Sequence, residues 1–181
     1  MKHIDFDFNG RTYALSFTAE ALFTVYDKFG VTDNILAETK ALEPSAEGWK
    51  NCCYLAALMA SQGELQRRRQ GYDPQPMLSV EELRTGFMAA ESTRLRQAVR
   101  AALEQGFARS VEDHDEDKEI DLVLREREMT QKKNDGAGSL RAAFLCVCAR
   151  SFHLNPADAL MLCPGTYFDM CAVLSAPRGE E

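Results

Sequence analysis

The stretch KHIDFDFNGRTYALSF, residues 2–17, decides how the chain begins to fold. Apolar and polar residues alternate on both sides of Asn9-Gly10, and a period of two is typical of half-buried β-strands. Asn-Gly is the preferred centre of a two-residue type I′ turn, because both residues accept positive φ. Such a loop pairs Phe6 with Tyr13 and Ile4 with Leu15. The turn and the pattern therefore predict one hairpin, in one register, with a single apolar face.

The apolar face of this hairpin needs a cover, since two strands alone are only marginally stable in water. The residues that follow predict helices. Thr18 is a good N-cap and Gly30 is a good residue to follow a helix end, so a helix is predicted over 18–30. A shorter helix is predicted over 33–41.

A long helix is predicted after Ser45, and its middle, CCYLAALMA at 52–60, is apolar nearly all round. Such a helix is typical of the centre of a core, where every face meets another element. The segment GYDPQPML (71–78) is a break, because it is rich in turn residues. Ser79 then opens a capping box, and the helical pattern continues to about residue 107.

The layout predicts three parts: a hairpin and helical body over 1–109, a charged tether over 110–139 and a C-terminal helical module over 140–175. The tether is charged and poor in aromatic residues, with a short helix predicted around 119–130. The predicted fold class is therefore mainly α with an N-terminal β-hairpin, organised as a helical body plus a small C-terminal helical module.

The end of the chain, NPADALMLCPGTYFDMCAVL (155–174), contains two helix starts. Asn155 is a good N-cap, and Pro156 suits the first helical position. The second start is open to two interpretations. The helix begins either at Pro164, with Cys163 as a poor cap, or one turn later, with Thr166 as N-cap and Asp169 at the third helical position.

Apolar residues fill most of this stretch and are candidates for binding another protein. A module of about 35 residues is too small to bury all of them unaided. They pack on the body or on a partner, and the sequence leaves both open. The candidate protein-binding residues are Leu160, Met161, Leu162, Pro164, Tyr167, Phe168 and Met170.

Composition narrows the classes of function. The net charge of −7 disfavours a general nucleic-acid binder, and QRRRQ (66–70) is better interpreted as a solvated end of a helix than as a basic patch. The longest dense apolar run, 52–60, is far shorter than the roughly 20 residues of a membrane span. We therefore expect a cytosolic protein, with no membrane partner and with six reduced cysteines that pack as small hydrophobic side chains.

Residues with catalytic or ligand chemistry are scattered. The acidic stretch 113–124 resembles a calcium loop, but Lys118 stands where the loop needs glycine and Leu124 where it needs glutamate. His153 is close in sequence to Cys146 and Cys148, but no third group is evident to orient a thiol–imidazole pair. No glycine-rich phosphate loop is evident. We expect no catalytic residues, no metal and no cofactor.

Two motifs resemble a known family. NGRTYALSFTAEALFTVYDKFG (9–30) looks like the start of phage tail assembly chaperones of long-tailed phages and prophages, and ARSFHLNPADALMLCPGTYFDM (149–170) is similar to a second tail-assembly pattern. The sequence departs from the second pattern at Cys163 and Thr166, where the family has Thr and Glu. The residues that fit are Gly10, Arg11, Tyr13, Leu15, Phe17, Thr18, Ala21, Leu22 and Gly30 in the first motif, and Arg150, Phe152, Leu154, Pro156, Leu162 and Pro164 in the second.

The resemblance implies a non-enzymatic protein of the bacterial host cytosol. In that family, the chaperone coats the phage tape-measure protein and recruits tail-tube protein subunits while the tube grows. By this resemblance, 140–175 would be the tube-recruiting module and 110–139 its tether, and a homo-oligomer is compatible with the role. The alternatives are a structural subunit of the phage particle, such as a connector or minor tail protein, and an enzyme of unknown type.

Overall fold

The computed structural model describes residues 2–31, 34–87, 91–110 and 139–175. The chain divides into two compact units, Met1–Phe107 and Ala108–Glu181. The division lies two residues before the predicted end of the body at 109. The predicted tether and its short helix around 119–130 lie almost wholly outside the described residues.

The described residues form two strands and eight helices, which confirms a mainly α fold with an N-terminal β-hairpin. The first unit contains β1 (Ile4–Phe8), β2 (Arg11–Leu15), α1 (Ala19–Phe29), α2 (Ile35–Glu38), α3 (Ala46–Arg69), α4 (Val80–Gly86) and α5 (Ser92–Phe107). The second unit contains α6 (Leu140–Ser151), α7 (Pro156–Leu160) and α8 (Pro164–Ser175).

The hairpin has the predicted register. β1 and β2 are antiparallel, with Phe6 opposite Tyr13 and Ile4 opposite Leu15. Asn9 and Gly10 both have positive φ, 50° and 72°, as a type I′ turn requires. One face of the hairpin is apolar and largely buried, so the alternation of the sequence decides which side meets the core.

Helix α3 is the centre of the first unit. Cys52, Leu55 and Met59 are completely buried along it, as the apolar middle of the helix predicted. The helix lies so close to β2 that a Cβ atom added at Gly63 would be 1.8 Å from the carbonyl oxygen of Ala14. Only glycine allows this approach.

The hairpin and α3 are also joined by polar contacts. The backbone N–H of Ser16 donates to the carbonyl of Met59 at 3.1 Å. The hydroxyl of Thr18 donates to Oε1 of Gln62 at 3.0 Å, and it also accepts the N–H of Ala21 as the N-cap of α1. The same side chain therefore begins one helix and fixes it to another.

The helical pattern predicted up to residue 107 is interrupted. Ser79 and Glu82 form the predicted capping box, but α4 ends at Gly86 and Phe87 is extended. The ring of Phe87 stacks on Phe8 with centroids 4.8 Å apart. The prediction of continuous helix was wrong here, because packing against the hairpin places Phe87 and local periodicity cannot show it.

The helices of the second unit begin where the sequence offers caps. Asn155 accepts the N–H of Asp158 at 2.9 Å, and Pro156 occupies the first turn of α7. Helix α8 begins at Pro164, and the carbonyl of Cys163 accepts the N–H of Tyr167 at 3.1 Å. The start at Thr166 was therefore the wrong alternative. Proline at the first helical position has a suitable φ and lacks the N–H that a cap would have to satisfy.

Across the part of the chain that the structure describes, no helix combines the length and the apolar character of a membrane span.

Candidate functional site

The second unit is organised around Tyr167, which is 5% exposed. Three aromatic rings surround it: Phe144 at 5.0 Å, Phe152 at 6.0 Å and Phe168 at 5.5 Å between centroids. The rings are tilted or edge to face, the arrangements that aromatic pairs favour. Tyr167 was predicted as a protein-binding residue, but its position is that of a core residue of this unit.

The other candidate residues divide by burial. Pro164 is buried at the start of α8, whereas the remaining members are half-buried, at the end of α7, in the connection or within α8. Their role in binding stays a prediction. The half-buried members are Leu160, Met161, Leu162, Phe168 and Met170.

The exposed apolar residues of this unit lie one turn beyond the predicted set. Val173 is 65% exposed and Leu174 is 52% exposed, near the end of α8. They follow Met170 by three and four residues, the spacing that places side chains on one helix face. That spacing is visible in the sequence and extends the predicted surface toward the end of the helix.

Asp169 connects two distant parts of the second unit. Its carboxylate accepts the N–H of Ser110 at 2.8 Å and lies 3.5 Å from Nε of Arg109. Asp169 is nearly buried, so these contacts replace water around its charge. Asp169 was predicted at the third position of a helix capped by Thr166, and the structure gives it a tertiary role instead.

Three cysteines of the second unit, Cys148, Cys163 and Cys171, are buried thiols, and Cys146 is half-buried. Burial raises the pKa of the Cys148 thiol to about 12, and the neighbouring Cys171 adds to the rise. A thiol with such a pKa is protonated at neutral pH and is a poor nucleophile and metal ligand. Cys163 is buried as well. These residues pack as small hydrophobic side chains, as predicted.

The basic stretch at the end of α3 interacts with Glu64 and with the loop 71–77 that follows the helix. Nε of Arg68 lies 2.8 Å from the Glu64 carboxylate and Nε of Arg67 lies 3.3 Å from it. The carboxylate also accepts the N–H of Gln75 at 2.7 Å. Burial acts to raise the pKa of Glu64, but the hydrogen bonds from Arg68, Gln75 and Arg67 outweigh it, so the pKa is lowered.

This cluster fixes the exposed segment 71–77. The guanidinium groups donate further hydrogen bonds, from Arg67 to the Asp73 carbonyl and from Arg68 to the Gln75 carbonyl. Tyr72 lies beside Arg67, whose guanidinium carbon is 5.0 Å from the ring centroid. Arg67 and Arg68 of QRRRQ therefore stabilise the loop structure, whereas the sequence predicted only a solvated helix end.

A shallow groove of about 380 Å³ lies in the first unit between β1 and α5. Asp5 and Asp7 line it from the strand, and Arg94 and Ala98 line it from the helix. The guanidinium of Arg94 donates to the backbone carbonyl of Asp7 and lies 5.5 Å from the centroid of Phe6. The groove therefore combines exposed charges, a strand backbone and small side chains.

Within the described ranges, no group of three or more His, Cys, Asp or Glu side chains could hold a metal ion. The calcium-like stretch 113–124 lies outside those ranges. His153 has a positive φ of 54° just after α6, where the chain turns toward α7.

No protein-family model matches the chain, and no curated protein and no solved structure matches it.

Proposed function

We propose that the chain is a prophage-type tail assembly chaperone, a non-catalytic protein that binds the tape-measure protein and recruits tail-tube subunits. The proposal takes its partners from the two sequence motifs at 9–30 and 149–170. In the structure, the first motif contains the hairpin turn, β2 and α1, and the second runs from the end of α6 into α8. Each motif thus belongs to a different compact unit.

The apolar end of α8 supports a recruiting role for the second unit. Val173 and Leu174 are exposed next to the half-buried Met170. Apolar side chains grouped on one helix face suit docking into a groove of a partner. Two binding surfaces on one chain would also raise the concentration of one partner near the other.

The test is co-expression of the tagged full chain with the tape-measure and tube proteins encoded beside its gene. The wild-type chain is expected to capture both. The double variant Val173→Lys/Leu174→Lys places two ammonium groups in an apolar interface, and removing their water costs free energy. Capture of the tube protein should therefore fall at least about ten-fold. Capture of the tape-measure protein should be retained.

The matched control is Tyr72→Lys/Met77→Lys, which makes the same change at two exposed apolar residues of the first unit. It should leave capture of the tube protein unchanged. Capture of neither partner by the wild-type chain contradicts the proposal, and equal capture of the tube protein by the α8 variant contradicts the assigned surface.

A structural subunit of the phage particle is the second candidate. The outer edge of β1 favours it, because no third strand pairs with this edge among the described residues. Such an edge can extend the sheet of a different protein of the particle. This alternative predicts a stable ring of copies for the isolated chain, and mass photometry distinguishes such a ring from a smaller chaperone species.

A further inference from the structure

The outer edge of β1 carries backbone N–H and C=O groups that do not bond to β2. In a two-residue hairpin the residues that flank the turn form a hydrogen-bonded pair, here Phe8 and Arg11. Every second pair repeats this arrangement, so Phe6 and Ile4 bond to β2. The N–H and C=O groups of Asp5 and Asp7 consequently point away from β2. The donation from Arg94 to the Asp7 carbonyl agrees with this direction.

The corresponding edge of β2 is covered by α3. The N–H of Ser16 bonds to the carbonyl of Met59, and the Ala14 carbonyl lies against Gly63. Among the described residues, no third strand pairs with β1. The two edges of the sheet therefore differ, and the β1 edge faces the open groove.

The groove beside β1 has the lining that an extended chain needs. Ala98 and Ala101 line it with small side chains from α5, and Phe6 lines it from the strand. Gln97 adds an exposed amide from the same helix. Arg94 occupies one lone pair of the Asp7 carbonyl, and a carbonyl oxygen can accept a second hydrogen bond.

We propose that this groove binds an extended basic segment of another protein, which adds to β1 as a third strand. Asp5 and Asp7 carry exposed carboxylates on the solvent face of the hairpin. Residues directly opposite them in an added strand lie on the same face, where Lys or Arg form favourable cross-strand pairs. The alternate residues face Phe6 and Ala98 and must be small and apolar.

The same carboxylates disfavour a second copy of this chain as the occupant. Antiparallel pairing of two β1 strands would bring the Asp5 and Asp7 carboxylates of both copies together. Like charges opposite each other destabilise a strand pair. This binding mode does not depend on a role in tail assembly.

The test uses the isotope-labelled full chain and a capped peptide of alternating residues, Lys-Val-Lys-Val-Lys-Val, followed by NMR titration. We expect saturable shifts of the Asp5 and Asp7 amide signals, and slower hydrogen exchange at both amides because they become paired. A peptide with N-methyl groups on its strand-facing amides should bind at least about ten-fold more weakly. Equal binding of the methylated peptide overturns the proposal.

A charge exchange separates strand addition from general attraction to an acidic protein. In Asp5→Lys, the Lys-Val peptide should bind about five-fold to ten-fold more weakly, and a Glu-Val peptide should gain affinity. The control Glu81→Lys makes the same change on α4, at a side chain 73% exposed against 71% for Asp5. Equal weakening in both variants, or no saturable shift at β1 in the wild-type chain, overturns the proposal.

Discussion

The two units differ in how completely they bury their apolar helices. In the first unit α3 packs against the hairpin and other helices, and most of its apolar middle is buried. In the second unit α8 buries Tyr167 but leaves Val173 and Leu174 in water. A short module has too little surrounding structure to cover every apolar residue. Whether an apolar helix is buried or exposed therefore depends on how many other elements pack against it.

The strongest way to break the first unit is Gly63→Ala. The new Cβ would lie 1.8 Å from a backbone oxygen of β2, which cannot rotate away as a side chain could. We expect a loss of at least about 3 kcal/mol in the free energy of unfolding, or no folded protein. Urea unfolding followed by circular dichroism measures it. The neighbouring Ser61→Ala, on the same helix, should stay close to wild type, and a stable Gly63→Ala would contradict the close packing.

The corresponding break in the second unit is Tyr167→Ala. Removing a buried ring from the centre of three others should cost about 3 kcal/mol. Hydrogen exchange should lose protection over 140–175 and keep it over 46–69. The exposed Tyr72→Ala serves as the control and should change neither region. Equal loss of protection in α3 would show that the two units unfold together.

A smaller effect is expected at the cluster that holds the loop 71–77. Glu64→Gln keeps the shape but weakens the hydrogen bonds from Arg67 and Arg68, at a cost of about 1 to 2 kcal/mol at pH 7. The pKa of Glu64 is lowered on folding, so the carboxylate stabilises the fold above its ordinary pKa of 4.5 and loses that effect as the pH falls through the folded value. The wild type and the variant should therefore converge in acid.

Urea midpoints measured from pH 7 down to pH 3 check this convergence. Glu81→Gln is the control, because Glu81 forms an exposed pair with Arg84 at 3.6 Å and should contribute little at any pH. A constant difference between wild type and Glu64→Gln across the whole range would show that the charge is not the cause.

The smallest effect is expected at the end of α8. Val173→Lys/Leu174→Lys should change the free energy of unfolding by less than about 0.5 kcal/mol, because both side chains are exposed and a cation suits a helix end. Thermal unfolding measures it. A large loss of stability would mean that these residues are core, and the contrast between the two units would weaken.

Local chemistry explains which features could be predicted. The Asn9-Gly10 turn and the caps Thr18, Ser45 and Asn155 each act within a few residues, so the sequence displays them directly. The approach of Gly63 to Ala14 joins residues far apart in the chain, and no periodicity shows it.

The candidate site also has some features that the sequence predicts and others that depend on tertiary contacts. Its apolar character is visible in the sequence, but the choice of Tyr167 as core and Val173 as surface depends on which helices surround them. The bond between Ser110 and Asp169 spans 59 residues and has no local signal. The groove beside β1 was not predicted either. Asp5 and Ala98 line it together only because the hairpin packs against α5.

The contact between the hairpin and α3 also has a consequence for synthesis on the ribosome. The hairpin leaves the ribosome first, yet the helix that covers it ends at Arg69. At roughly 5–20 residues per second, the roughly 50 residues between them take about 3–10 s to synthesise. During that interval Phe6, Phe8 and Leu15 have no α3 to cover them. The nascent hairpin is therefore open to aggregation, or to capture by a chaperone at the ribosome, until α3 has emerged.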